Sequence, residues 1–334
     1  MQTKPNDTLY CGVDSIKIQQ ASPDINYGMF KELTVMIRDR YRIHKRKDVK
    51  GLPKPWTNNP IMQQYKFTNV RREHDKQTRH LLKSIVHNNK LTLEDKIVNC
   101  FLFRAWNNYD TFHDFGLPAP SRLLYNPSFK ESIRPRYQHL STVAVDRLWF
   151  SSAYNQGGTK QAWRYLKKDK TPLEKDIPLR PFHIGVWLSE QNIANRLLHS
   201  KNQQECFEII KEVRGFADFL AYQVFVDLTY IPEFPYSENE FVVAGSGCKS
   251  GLNWLFINKD GMTDEECLFW LRDNWSVLCY RCNIPWNSDK LFSDLPEYDR
   301  CMNVMSLENC FCEFSKYMRA KTGQGRPRVT YKGV

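Results

Sequence analysis

The amino-acid sequence predicts a mainly α protein: a single compact helical domain with one glycine-rich, helix-hairpin-like turn. Three observations lead there. From Met29 to Asp48 the apolar residues Phe30, Leu33, Ile37 and Tyr41 recur at helical spacing. Thr92 with Asp95, and Thr263 with Glu266, have the offset of a capping box, in which each side chain accepts the other residue's free backbone N–H. Leu307, Phe311, Phe314 and Met318 mark a last helix over roughly 297–320. No repeat or low-complexity linker divides the 334 residues. The expected boundaries are an extended arm over 1–28, the helical domain over 29–319 and a basic flexible tail over 320–334.

Taken in order, the 29–48 helix carries Arg38, Arg40, Arg42, Lys45, Arg46 and Lys47 around its apolar stripe, so one side can pack while the other meets phosphate. Three prolines make 51–60 a loop, in which Trp56 serves either stacking or the core. A helix over Arg71–His87 would put Arg72, Asp75 and Arg79 on one face, a solvated charged face being the alternative. In the helix after Thr92, Ile97, Phe101, Arg104 and Asn108 share a stripe. A buried guanidinium there needs a carboxylate or a phosphate. Prolines break up 112–185, leaving short helices and loops with Trp149, Trp163 and Tyr165 as packing residues. Over Glu205–Leu228, Phe216 and Leu220 are followed on the same face by Gln223 and Asp227, a second break in an apolar pattern.

The stretch Gly245-Ser246-Gly247-Cys248-Lys249-Ser250-Gly251 lacks the spacing of a phosphate-binding P-loop, so a triphosphate kinase built on it is not expected. Its glycines suit a turn whose N–H groups approach a DNA phosphate, and a ligand-free turn equally. Thr263 then caps a helix over Asp264–Trp275, and on the last helix Glu313, Lys316 and Tyr317 form a local set, a surface ion pair being the alternative.

The formal net charge of +11 favours a polyanionic partner, and from Lys316 onward the chain has no acid. Neither a membrane-spanning apolar run nor a signal peptide is visible, which implies a soluble intracellular protein. The ten cysteines read as reduced thiols. Cys279, Cys282, Cys310 and Cys312 could supply zinc thiolates, but the last two point to different sides of one helix, and no metal site is expected. No nucleotide motif fixes a cofactor, and a need for Mg²⁺ stays open. Zinc-protease, nucleophile-elbow and dinucleotide signatures are absent.

Pro53-x-Pro55-Trp56-Thr57, Tyr65-x-Phe67-Thr68-Asn69-Val70 and Arg72-Glu73-x-Asp75-x-x-Thr78 resemble the helical domain of thymine-hypermodification proteins. These include 5-hydroxymethyluracil DNA kinases and the α-glutamyl/putrescinyl thymine pyrophosphorylases. Phe101-x-Phe103-Arg104-x-x-Asn107 is similar to a second signature of the family. Leu307-Glu308-Asn309-x-x-Cys312-Glu313-Phe314-x-Lys316-Tyr317-x-Arg319 and Gly325-Arg326-Pro327-Arg328 resemble its C-terminus. Asn59 departs from the pattern, which has an acid there.

The resemblance implies an enzyme acting on pyrophosphorylated 5-hydroxymethyluracil in DNA, where an amino acid or polyamine displaces pyrophosphate. Arg72, Arg104 and Lys316 are then candidates for stabilising pyrophosphate, and Glu73, Asp75, Asp227 and Glu313 for handling the amine's proton. Phe67, Asn69, Asn107, Gln223 and Tyr317 could line a pocket for an extruded base, with Gly245, Gly247, Lys249, Arg326 and Arg328 on the DNA backbone. Two other readings remain: a DNA-glycosylase-like enzyme excising a modified base, on a fold of that kind, and a non-catalytic DNA-recognition module.

Overall fold

The computed structural model describes residues 14–143, 148–151, 181–213, 215–297, 300–327 and 329–331. Nearly all regular structure among them is helical, as expected. Two short antiparallel strands, Asp24–Ile25 and Phe256–Asn258, are the exception. The chain falls into two compact units. The first joins residues 1–75 to 238–334, and the second is the continuous stretch 76–237.

In the first unit the Tyr27–His44 helix starts at Asn26, whose side chain accepts the Met29 N–H, and runs on into a widened turn at Lys45–Val49. Phe30, Leu33, Ile37 and Tyr41 are buried, as their spacing requires, and so is Arg40. The Val304–Lys321 helix begins later than expected, at an Asn303 cap, and buries Leu307, Phe311, Phe314 and Met318. It lies against the Ser246–Leu255 helix at very short range. A Cβ added to Gly251 would sit 2.2 Å from the Phe311 carbonyl oxygen, and one on Gly247 2.6 Å from Cys312 Sγ. These two glycines therefore serve helix–helix approach, and Gly245 caps the helix with an ordinary negative φ of −68°. The backbone shows packing here, where the sequence suggested a hairpin turn for phosphate. The Thr263–Glu266 capping box forms on both sides, and its helix extends to Arg281, past the expected end at Trp275.

Both ends of the first unit differ from expectation. The arm is not extended throughout: Ser15–Gln20 is a helix capped by Asp14, while residues 1–13 lie outside the described residues. The basic tail is tied down, because Tyr65 bridges Thr330, the Lys66 N–H donates to Val329 at 2.9 Å and the Tyr331 N–H donates to Gln64 at 3.0 Å. Arg326 is exposed and Arg328 lies outside the described residues.

The second unit is built on the Leu93–Trp106 helix, whose residues from Asp95 to Trp106 are all buried. A helix buried on every side belongs at the centre of its unit, and Pro181–Glu190 and Asp218–Thr229 pack on it. The Thr92–Asp95 capping box is complete. The helix ends where Asn107 turns left-handed at φ 47°, so Asn108 leaves the stripe and caps Tyr109–Asp114 instead. Glu205–Leu228 is two helices, Gln203–Lys211 and Asp218–Thr229. Trp149 is half-buried, whereas Trp163 and Tyr165 lie outside the described residues.

Candidate functional site

The central stretch of the sequence is less regular than a helix over Arg71–His87. Arg72–His74 forms a single tight turn, Asp75 is extended at φ −71° and ψ 140°, and only Lys76–Leu81 is α-helical, followed by a widened turn over Leu82–Val86. Arg72, Asp75 and Arg79 thus share no helix face. The Asp75 side chain is turned back along the chain instead, accepting the Asn69 N–H at 3.1 Å, while Asn69 Nδ2 donates to the His74 carbonyl at 2.9 Å. Reciprocal side-chain bonds of this kind compete with helix formation and here win.

That loop is fastened by an arginine the sequence reading missed as a site residue. Arg40 donates to the Thr68 carbonyl and hydroxyl, to the Asn69 carbonyl, to Asn309 Oδ1 at 2.7 Å and to Cys310 Sγ at 3.3 Å. The signal was present: Arg40 follows Ile37 by three on the apolar stripe, the same kind of break that singled out Arg104. Arg71, wholly buried, likewise holds Glu73 at 2.8 Å, which makes Glu73 a structural partner.

Around this loop the first unit gathers Arg72, Asp75, Glu308, Glu313 and Lys316. Glu313 is 3% exposed and accepts from Lys316 Nζ at 2.7 Å. Asp75 and Glu308 keep some exposure as residues, but their carboxyl groups lie under cover. Burial pushes Asp75 up to about 6, against the opposing pull of the Asn69 N–H, Arg72 and Arg40, with Glu313 pushing further up. Burial pushes Glu308 up to about 7, opposed by the Gly245 N–H, Arg72 and Lys316 and helped by Glu313. Arg72 and Glu313 therefore act on both carboxyls, and Asp75 and Glu308 can each exchange a proton near neutral pH. Glu308 stands in the C-terminal motif but was not singled out as a site residue.

Other candidates beside this cluster are engaged in packing. Tyr317 donates to Glu32 at 2.7 Å, accepts from Asn59 Nδ2 at 3.1 Å and meets Phe67 edge-on at 6.3 Å. Asn59 Oδ1 caps the Pro60–Gln64 helix. Its amide thus both accepts and donates, which an acid at this position could not do when ionised. Gly245 gives its N–H to Glu308 at 3.4 Å. Lys249 is exposed, 3.9 Å from Asp264.

In the second unit the two broken patterns answer each other. Arg104 forms a two-pronged pair with Asp227, Nη2 to Oδ1 at 2.6 Å, and Nη1 donates to Asn107 Oδ1 at 2.7 Å. All three residues are buried. Of the sequence alternatives, the internal arginine–carboxylate pair is the one present. Gln223 lies half-buried on the same helix as Asp227. Among the four cysteines weighed as zinc ligands, burial pushes Cys279 up to about 12 and Cys312 to about 11, as befits protonated thiols.

Residues 28–326 match the family model for the helical domain of 5-hmdU DNA kinases. The chain belongs to that family. A 5-hmdU DNA kinase of Bacillus phage SP10 is 24% identical over 315 residues, covering 91% of this chain and 47% of the relative. The chain thus spans about half the length of that curated relative. No solved structure matches. The family match takes in both the Arg72–Asp75 loop and the Glu308–Lys316 segment of the Val304–Lys321 helix, so the cluster lies wholly within the shared region. None of the helices among the described residues is long and apolar enough to cross a membrane.

Proposed function

We propose that this chain acts in thymine hypermodification of DNA, on 5-hydroxymethyluracil carrying a pyrophosphate on its exocyclic oxygen. The amine nitrogen of an amino acid or polyamine forms a bond to the exocyclic carbon, and the carbon–oxygen bond to pyrophosphate breaks. The nitrogen's surplus proton passes to a carboxylate. The observation that carries this reading is the pair of covered carboxyls, Asp75 and Glu308, raised toward neutrality beside Arg72 in the family-matched region. A base poised near the working pH is the most effective proton acceptor. Arg72 and Lys316, the two cations whose charge acts on Glu308, then stabilise the departing pyrophosphate. Exposed Arg42, Arg46, Lys50, Lys54, Lys249 and Arg326 supply charge for the DNA backbone.

A second reading has one observation in its favour. The relative is named as a kinase and is about twice as long as the match, so the shared helical region accompanies other sequence there. On that reading the chain recognises modified DNA without transforming it.

The two separate in one experiment. Protein is incubated with 5-pyrophosphoryloxymethyluracil DNA and mixed amines, and digested nucleosides are read by mass spectrometry. An amine-bearing nucleoside, lost in Asp75→Asn and Glu308→Gln, is expected. Binding of the modified DNA without product would favour recognition, and a free base with abasic DNA would favour excision.

A further inference from the structure

Apart from the carboxyl cluster, the first unit holds a second group of functional side chains that the proposed reaction leaves unused. His44 is the last residue of the Tyr27–His44 helix, His74 closes the Arg72–His74 turn and Asp294 lies in the loop after Ser288–Leu291. One donor atom from each lies within 4.8 Å of the other two. His74 is poorly satisfied: its buried Nδ1 has no hydrogen-bond partner, and Nε2 stands 3.6 Å from Asp294 Oδ2, too far for a hydrogen bond.

The surroundings resemble those that orient metal ligands. His44 Nδ1 meets Asp48 Oδ2 at 3.1 Å, which directs Nε2 away from that carboxylate. A carboxylate behind the far nitrogen of an imidazole fixes the tautomer and strengthens the ring as a ligand. The Tyr41 hydroxyl donates to Asp294 and holds that carboxylate in turn. Lys45 Nζ pairs with Asp294 Oδ1 at 3.3 Å, while the other carboxylate oxygen, Oδ2, faces His74.

We propose that His44, His74 and Asp294 form a binding site for a first-row divalent cation of the zinc class, with remaining positions taken by water. Two imidazoles and a carboxylate are a ligand set such ions accept. In the present arrangement the two rings stack 4.1 Å apart and 8° from parallel, so their lone pairs lie in parallel planes. Tetrahedral donors about 2 Å from a common ion stand about 3.3 Å from each other. Binding therefore requires the His74 ring to turn out of the stack. Turning the ring gives up no hydrogen bond, since Nδ1 has no partner and Nε2 makes only the 3.6 Å approach to Asp294.

The test uses the full-length, untagged, chelator-treated protein, titrated with Zn²⁺ by calorimetry and with Co²⁺ by absorption. One equivalent is expected, with affinity reduced at least tenfold in both His74→Ala and Asp294→Asn. Asp48→Asn, which touches no ion, should weaken binding by roughly 10–100-fold. Circular dichroism confirms that each variant is folded, and exposed Asp294 provides a change that leaves the core alone. No binding, or binding unaltered in the three variants, would overturn the proposal. So would a thiolate-to-cobalt charge-transfer band, which would assign the ion to cysteines.

Discussion

Replacing Glu308 by Gln tests the electrostatics of the site apart from its chemistry. The carboxyl is raised from 4.5 to about 7 on folding, so the folded protein holds the proton more tightly than the unfolded chain. A raised carboxylate contributes stability that is complete below the unfolded value and is lost as pH rises through the folded one. The window is therefore about pH 4.5 to 7. One pH unit of difference corresponds to about 1.4 kcal/mol, so the full effect is roughly 3–4 kcal/mol, about three-quarters of it between pH 5 and 8. Gln keeps the shape and cannot ionise. Urea unfolding at the two pH values should show wild type losing about 2–3 kcal/mol more than Glu308→Gln. Parallel profiles for the two proteins would refute the assignment of Glu308 as a covered, near-neutral group.

Three other outcomes follow from the packing. Asp227→Asn strands the Arg104 charge and should cost about 3–5 kcal/mol in denaturant unfolding, most of it recovered when Arg104→Met is added. Gly251→Ala drives a Cβ into the Phe311 backbone and should cost at least about 1–3 kcal/mol by the same measure, more than Gly247→Ala, whose obstacle is a side-chain sulfur. Asn59→Ala removes the cap of Pro60–Gln64 and a donor to Tyr317, and thermal melting should report a loss of about 1–2 kcal/mol.

Local rules made much of the fold legible. Both capping boxes formed because they need only residues three apart, and the stripes of 29–48 and of the last helix were buried as their spacing demanded. The Arg71–His87 stretch failed because its outcome was set from outside it: Arg40 and Asn309 pull Thr68 and Asn69 into a loop, and Asp75 then bonds Asn69 instead of a helix turn. Gly247 and Gly251 lie in a helix where the sequence suggested a turn, for a related reason. A glycine for a turn and a glycine for a close helix neighbour look alike until the neighbour, here Phe311 and Cys312, is known. Arg104 and Asp227 were flagged separately, and only the fold could show that each was the other's partner. Arg40 obeys the same rule as Arg104 and was legible; it was hidden among other basic residues on its helix.

The cluster's members are written far apart. Arg72 and Asp75 close one segment of the first unit, and Glu308 and Lys316 arrive only after the whole of 76–237 has been made. At about 5–20 residues per second of synthesis, roughly ten to fifty seconds separate Asp75 from Glu308. During that interval the apolar face of Tyr27–His44 has no Val304–Lys321 helix beside it, whereas 76–237 is already complete as a continuous stretch. A nascent chain cut short anywhere before that last helix would carry the loop and lack its proton-exchanging partner, so this centre comes into being only once the Val304–Lys321 helix has been made.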